Sequence, residues 1–139
     1  MLRWLERIKR RGMYIGQHEL TALLAPYLSL PDVFRNRRVI HFVDNTSAIA
    51  ATISGYSQRY DSARIVNLFH LCRLHLDCHV TLLYVPSESN ISDWPSRGDM
   101  RRVIAETGAR SCFMRLPSLA WLTGRWVDVY HQVADWCGS

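Results

Sequence analysis

The stretch Arg37-Arg38-Val39-Ile40-His41-Phe42-Val43-Asp44-Asn45 decides the fold of this chain. Its apolar residues are nearly continuous, which is typical of a strand covered on both faces and therefore of a parallel sheet. A second strand is predicted at residues 78–85, where Pro86 ends it. Because helical patterns occupy the chain between and around these strands, the sequence predicts an α/β fold.

Apolar residues that recur every three or four positions predict the helices next to the strands. Residues 17–28 form the first such pattern, and Pro26 inside it predicts a kink or an early end. After the first strand, Asn45 or Thr46 is expected to cap a short helix that ends near Ile53.

A longer helix is predicted next, capped by Asp61 or Ser62. Its buried face is expected to carry Ile65, Leu68, Phe69, Cys72 and Leu76. Further helices are predicted at residues 2–11, at residues 99–107 and, as one final element, at residues 119–133 with Trp126, Val129 and Tyr130 on its packed face.

Bulk composition indicates one globular domain over residues 1–139, long enough to bury a core. The net charge of +5 and sixteen arginines against one lysine favour a polyanionic partner, because the guanidinium fork suits phosphate recognition. Four cysteines without framework spacing predict a reduced, intracellular setting, without distinguishing cytoplasm from nucleus. No apolar run approaches the roughly 20 residues of a membrane span.

Three carboxylates have the placement that metal-dependent chemistry requires. Glu19 lies in the first predicted long helix, Asp44 ends the first strand, and Asp93 lies in the loop after the second. A carboxylate at a strand end is held by the sheet and still open to a hard divalent cation. Each also has an ordinary structural explanation, since Asp44 or Asp93 would serve equally as a helix cap and Glu19 as a surface residue.

Three ordered blocks of sequence add a family resemblance. They are Glu19-Leu20-Thr21-Ala22, Phe42-Val43-Asp44-Asn45-Thr46-Ser47-Ala48 and Val85-Pro86-Ser87-Glu88-Ser89-Asn90-Ile91-Ser92-Asp93-Trp94-Pro95-Ser96-Arg97. In these blocks the chain resembles the ribonuclease H domain of retroelement reverse transcriptases, especially the DIRS-like and pararetrovirus-like branches. The resemblance covers roughly residues 13–98, so that residues 99–139 would be a C-terminal helical extension.

The resemblance implies an endonuclease that cleaves the RNA of RNA–DNA hybrids with Mg²⁺ or Mn²⁺. Glu19, Asp44 and Asp93 would be its catalytic and metal-binding residues. An upstream reverse transcriptase domain would be a further partner, and no membrane is implied. Contacts to the nucleic acid would come from Asn45, Asn90, Trp94, Arg97, Arg101 and Arg102.

One part of the family pattern is missing. The family has three antiparallel strands before the glutamate helix, and the first carries an aspartate that bridges both metals. Only eighteen residues precede Glu19, they read mostly as a helix, and Glu6 is their only carboxylate. We therefore expect a partial ribonuclease H-like fold without its first strands, from a longer polyprotein or a decayed reading frame. Metal affinity and rate should both be reduced.

Two other functions compete with this hypothesis. The first is a catalytically inactive retroelement remnant that acts at most as a nucleic-acid-binding module. The second is a zinc-stabilised interaction protein, because cysteines and histidines are close in sequence at His70, Cys72, His75, Cys78 and His79. Their spacing is unlike that of a zinc finger, and a free cysteine is more often a small buried hydrophobe.

Overall fold

The computed structural model of the chain describes residues 15–91 and 98–138. The predicted helix at residues 2–11 lies outside this part. The elements in chain order are α1 (Ile15–Ser29), α2 (Pro31–Phe34), β1 (Arg38–Val43), α3 (Thr46–Ser54), α4 (Tyr60–His75), β2 (His79–Tyr84), a 3₁₀ turn (Ser87–Ser89), α5 (Met100–Thr107), α6 (Leu119–Thr123) and α7 (Trp126–Gly138).

The two strands form a parallel sheet, as predicted. Arg38 is paired with His79 at one end of the ladder and Val43 with Tyr84 at the other. Parallel strands need a long crossover connection, which α3 and α4 supply here. The α/β class is thereby confirmed.

Only one face of this sheet is covered in the part of the chain that the structure describes. Val39, Val80 and Leu82 on that face pack against the core. On the opposite face, Ile40 is 63% exposed, Phe42 59% and Leu83 43%. The prediction that β1 is covered on both faces is therefore wrong for these residues. An apolar face is suited to burial, but its composition does not reveal whether this chain supplies the covering layer.

The core includes residues of α6, α7 and the sheet, and its most extensive helix packing is between α1 and α4. The apolar residues that predicted these two helices are all buried, namely Leu20, Leu23, Leu24, Tyr27 and Leu28 of α1 and Ile65, Leu68, Phe69 and Cys72 of α4, with Leu76 just beyond it. Of the two outcomes expected at Pro26, a kink or an early end, the early end is wrong, because α1 continues to Ser29. Proline there removes only its own amide donor, which leaves the carbonyl of Ala22 without its usual helical partner.

The predicted cap of α4 is also wrong. Arg59 occupies the cap position and makes no side-chain capping bond, while Asp61 lies inside the first turn. A carboxylate in the first turn still interacts favourably with the positive end of the helix dipole.

The final predicted helix is two helices, separated at Gly124. A side chain at Gly124 would place its Cβ 2.5 Å from the carbonyl oxygen of Ala120. The guanidinium of Arg64 holds this break, donating from Nη2 to the carbonyl oxygens of Trp121 at 2.6 Å and Gly124 at 2.8 Å. Val129, Val133 and Cys137 of α7 are buried, whereas Trp126 and Tyr130 lie at the surface.

Helix α5 begins at Met100, directly after the cap residue Asp99, and contains no buried residue. No helix in residues 15–91 or 98–138 has both the length and the apolar character needed to cross a bilayer.

Candidate functional site

A cleft of about 340 Å³ opens between α1 and the C-terminal end of β1. Helix α1 contributes Glu19, Ala22, Leu23 and Pro26 to its walls, and the strand contributes His41, Phe42, Val43 and Asp44, with Asn90 at the margin. Two of the three predicted carboxylates and one predicted amide thus line the same cleft.

Asp44 is the first residue after β1, and the sheet fixes its position. The backbone amide of Val85 donates to the carbonyl oxygen of Val43 at 3.0 Å, so the pairing of the strands extends to the residue before Asp44. The Ser87 hydroxyl donates to Oδ2 of Asp44 at 3.3 Å. The 3₁₀ turn after β2 therefore contacts the carboxylate at the end of β1.

Glu19 reaches the cleft from α1, beside the buried Leu20 and Leu23. Because these leucines anchor the helix in the core, Glu19 lies at the margin of the buried face and is half-buried. The third predicted carboxylate, Asp93, lies outside the described residues, as do Trp94 and Arg97.

Glu19 and Asp44 are the only charged side chains among the described residues that line the cleft. An acidic cleft in a protein of net charge +5 favours a cation locally. The side chains of Glu19, Asp44 and Asn90 all carry oxygen atoms, the type of ligand that hard cations prefer. Hard cations such as Mg²⁺ bind through one or two carboxylates and fill their remaining positions with water or substrate oxygens.

Within residues 15–91 and 98–138, no three His, Cys, Asp or Glu side chains come together as a metal site. This finding covers all five members of the zinc hypothesis, and two of them, His70 and Cys72, have other partners. His70 bonds the carbonyl oxygen of Thr52 at 2.7 Å and accepts from Nε of Arg73 at 2.9 Å. The Cys72 sulfur lies 3.6 Å from that of Cys137. The zinc-site hypothesis is therefore wrong.

Asn45 has the capping role that its position predicted. Its Oδ1 accepts from the amide of Ala48 at 2.9 Å and begins α3, while Gly55 ends that helix with φ of 69°. A role of Asn45 in nucleic-acid binding stays a prediction.

Replacement of Asn45 by alanine should lower the free energy of unfolding by about 1 kcal/mol, because one amide of the first turn of α3 loses its acceptor. Urea denaturation followed by circular dichroism measures this loss. Asn45→Ser keeps a capping oxygen and should stay close to the parent. Equal stability of the alanine variant and the parent would contradict the capping role.

Sequence reasoning missed a polar pair formed by His41, which lines the cleft, and Tyr27 behind it in the core. Tyr27 is completely buried, and its hydroxyl lies 2.9 Å from Nδ1 of His41, with the two ring centroids 5.8 Å apart. Burial lowers the pKa of His41 below its ordinary value. Burial, and to a smaller extent the neighbouring Cys78, raises the pKa of Tyr27, so its phenol keeps its proton.

This pair fixes the form of the imidazole ring. A buried phenol must donate its proton, and Nδ1 of His41 is the only acceptor that the described residues offer it. Nδ1 therefore accepts, and the neutral ring carries its hydrogen on Nε2. One signal pointed to the pair: a histidine inside an apolar strand needs a partner, and Tyr27 lies on the buried face of the preceding helix.

His41 should make the fold less stable below neutral pH. The unfolded chain takes up a proton at the ordinary histidine pKa of about 6.5, whereas the folded state resists it. The free energy of unfolding should therefore fall as the pH drops from 7.5 to 5.5. His41→Gln keeps an acceptor for Tyr27 and should show a smaller fall between the same two pH values in urea denaturation. If the free energy of unfolding falls as much in His41→Gln as in the parent between these pH values, His41 is not the source of the fall.

The remaining predicted contact residues are exposed. Arg101 and Arg102 lie on α5, and Arg102 donates from Nε to Oε1 of Glu106 at 3.1 Å. Contact of these two side chains with a nucleic acid stays a prediction. A pairing between exposed side chains such as Arg102 and Glu106 is weak and yields to a phosphate group.

The chain matches no protein-family model, no curated protein and no solved structure.

Proposed function

We propose that this chain is a ribonuclease H-like domain of a retrotransposon reverse transcriptase, which cleaves the RNA strand of RNA–DNA hybrids with the help of Mg²⁺ or Mn²⁺. The observation that supports it most is the convergence of Glu19, Asp44 and Asn90 on one cleft. These residues come from three separate parts of the sequence, and each belongs to one of the three blocks that resemble the family. In this proposal the parallel pair of strands and the helices beside it are part of a ribonuclease H-like fold.

Each residue has a distinct role in the proposed reaction. Glu19 and Asp44 hold the divalent cation, with Asp93 as the third carboxylate of the set. The cation, when bound, lowers the pKa of a coordinated water and neutralises charge on the phosphate and the leaving oxygen. Asn90 contributes a neutral amide at the margin of the cleft, where it contacts the sugar–phosphate backbone. Ser87 orients Asp44 through the hydrogen bond to Oδ2.

Binding of the hybrid uses basic side chains outside the cleft. Arg97, Arg101 and Arg102 contact phosphates, and Trp94 packs against the nucleic acid. Such contacts position the duplex without reading its sequence. A reverse transcriptase domain upstream of this chain is the partner that would supply the hybrid.

Replacement of both Arg101 and Arg102 by alanine should weaken hybrid binding equally for unrelated sequences. It should also make the slope of log affinity against log salt shallower by roughly one to two, because up to two phosphate contacts are lost. Fluorescence anisotropy over a salt series measures both quantities. Arg125→Ala is the matched control, because Arg125 is an exposed arginine paired with Asp128. An unchanged salt slope in the double variant would remove these arginines from the interface.

The direct test of the function is cleavage of a labelled RNA–DNA hybrid by the purified chain. Nicking of the RNA strand is expected with Mg²⁺ or Mn²⁺ and should stop on addition of a chelator. A DNA duplex of the same sequence should remain intact. Absence of nicking under all metal conditions would contradict the enzymatic function.

A second candidate is a nucleic-acid-binding module without catalysis. It is favoured by one observation, namely that only two carboxylates line the cleft among residues 15–91 and 98–138. Such a module would bind the hybrid in a salt-dependent manner and leave it uncut. The cleavage assay and the anisotropy series, performed on the same preparation, separate the two candidates.

A further inference from the structure

A second concave site lies away from the cleft, in a groove of about 340 Å³ between α4 and α7. Helix α4 presents Asn67, His70, Leu71 and Leu74 to it, and α7 presents Trp126 and Tyr130. On each helix these positions are three or four residues apart and therefore share one face. Leu74 is 64% exposed, Tyr130 47% and Trp126 37%, so the apolar surface of the groove is open to solvent.

The indole ring of Trp126 lies against the guanidinium group of Arg64. The guanidinium carbon of Arg64 lies 3.7 Å from the ring centroid. Arg64 itself is only 4% exposed and is anchored by the carbonyl oxygens of Trp121 and Gly124. A buried, anchored arginine leaves little rotational freedom to the ring that it covers, so a stacking partner would bind a preorganised surface.

The imidazole ring of His70 offers the groove a face and no free hydrogen-bonding edge. Both nitrogens of His70 are already engaged, one with the carbonyl oxygen of Thr52 and the other with Arg73. Asn67 differs, because the structure shows no interaction of its exposed amide with any described residue. The groove therefore combines aromatic and aliphatic walls with one amide that can both donate and accept hydrogen bonds.

The charge around the groove favours an anionic ligand. Arg64 and Arg73 contact the lining residues Trp126 and His70. None of the described residues that line the groove is a carboxylate, and Asp128 on α7 is paired with Arg125 at 3.1 Å. A flat aromatic ligand that carries negative charge fits this combination.

From this combination we infer that the groove binds a base of single-stranded nucleic acid. The base stacks on Trp126 and Tyr130, the Asn67 amide bonds to its edge, and Arg73 lies near a flanking phosphate. Stacking of this kind tolerates any base, because every base has a π-face. The site does not depend on the proposed cleavage. Within the proposed function, this strand would be the unpaired extension of a hybrid.

Anisotropy of a short fluorescein-labelled single-stranded oligonucleotide of mixed sequence tests this inference on the whole chain. Trp126→Ala and Tyr130→Ala should each weaken binding by roughly tenfold or more, and Trp126→Phe should restore most of the affinity. Asn67→Ala should weaken binding less than either. Tyr56→Ala is the matched control, because Tyr56 is a 66% exposed aromatic outside the groove. Circular dichroism of each variant verifies folding, and Tyr130→Ala remains informative should Trp126→Ala unfold.

An abasic oligonucleotide of the same length distinguishes base stacking from charge alone. The parent should bind it less tightly than the normal oligonucleotide, and Trp126→Ala should bind both alike. Equal affinities of the parent and both alanine variants for the normal oligonucleotide would overturn the inference. The oligonucleotide assay contains no hybrid and requires no cleavage. A failure of the proposed nuclease function, seen as uncut hybrid, therefore leaves this result readable.

Discussion

Replacement of Asp44 by asparagine is expected to reduce nicking of an RNA–DNA hybrid by roughly 100-fold or more, since even residues that only orient metal ligands cost 10–100-fold when mutated. The asparagine side chain has almost the same shape, and its oxygen can still accept from the Ser87 hydroxyl. The change therefore removes a negative charge from the cleft with little disturbance of the strand end. Cleavage is measured as initial rate on a labelled hybrid at saturating Mg²⁺.

Asp77→Asn is the matched control for this variant. Asp77 is an exposed aspartate just before β2, at the end of the sheet opposite Asp44. It has φ of 50°, a conformation that asparagine also tolerates. The control loses the same charge from the chain and should nick like the parent. Equal rates for Asp44→Asn and Asp77→Asn would show that the negative charge at Asp44 is not used in the reaction.

Replacement of Leu24 by alanine is expected to lower the free energy of unfolding by about 3–5 kcal/mol. Leu24 has no solvent exposure and belongs to the face of α1 that packs against α4. Removing its side chain loses buried apolar surface and leaves a cavity that two packed helices cannot easily close. Urea denaturation, with the slope and the midpoint both fitted, measures the effect.

Leu74→Ala makes the same chemical change on α4 at a side chain that is 64% exposed. Its effect on stability should remain within about 0.5 kcal/mol. Because α1 carries Glu19, the Leu24 variant should also lose nicking activity at temperatures where the parent is still folded. A stability loss at Leu24 no greater than that at Leu74 would contradict the packing of α1 in the core.

The helices with strong periodicity could be predicted from the sequence. The apolar faces of α1 and α4 were predicted residue by residue, because a repeat of 3.6 residues leaves little freedom in which side chains share a face. The parallel pairing of β1 and β2 could also be predicted, from the continuous apolar run between Val39 and Val43 together with the helices that connect the strands. The elements predicted from these local sequence patterns are therefore the ones that the structure shows.

Features that depend on distant residues could not be predicted in the same way. Nothing within β1 shows that Ile40 and Phe42 lie on an open face, because the covering layer is a property of other segments. The break between α6 and α7 at Gly124 was missed, although a glycine inside a predicted helix is itself a signal that the helix ends there. Arg64 was missed for a similar reason, since it precedes Leu68 by one helical turn and its position on the apolar face required buried partners.

The candidate site was predicted in part. Glu19, Asp44 and Asn90 do line one cleft, which the order and spacing of the sequence blocks suggested. The Tyr27–His41 pair was not anticipated, because no local pattern connects a helix residue with a strand residue fourteen positions away. Such pairs follow from the packing of α1 on the sheet and become visible only when both elements are in place.

Direct binding of Mn²⁺ tests the central claim, that Glu19 and Asp44 together hold a divalent cation. Electron paramagnetic resonance counts free Mn²⁺ during titration of the chain and needs no substrate or cleavage. Mn²⁺ should bind to the parent and to Asp77→Asn with equal affinity, and binding should be strongly weakened in both Glu19→Gln and Asp44→Asn. The same affinity in all four proteins would contradict the account.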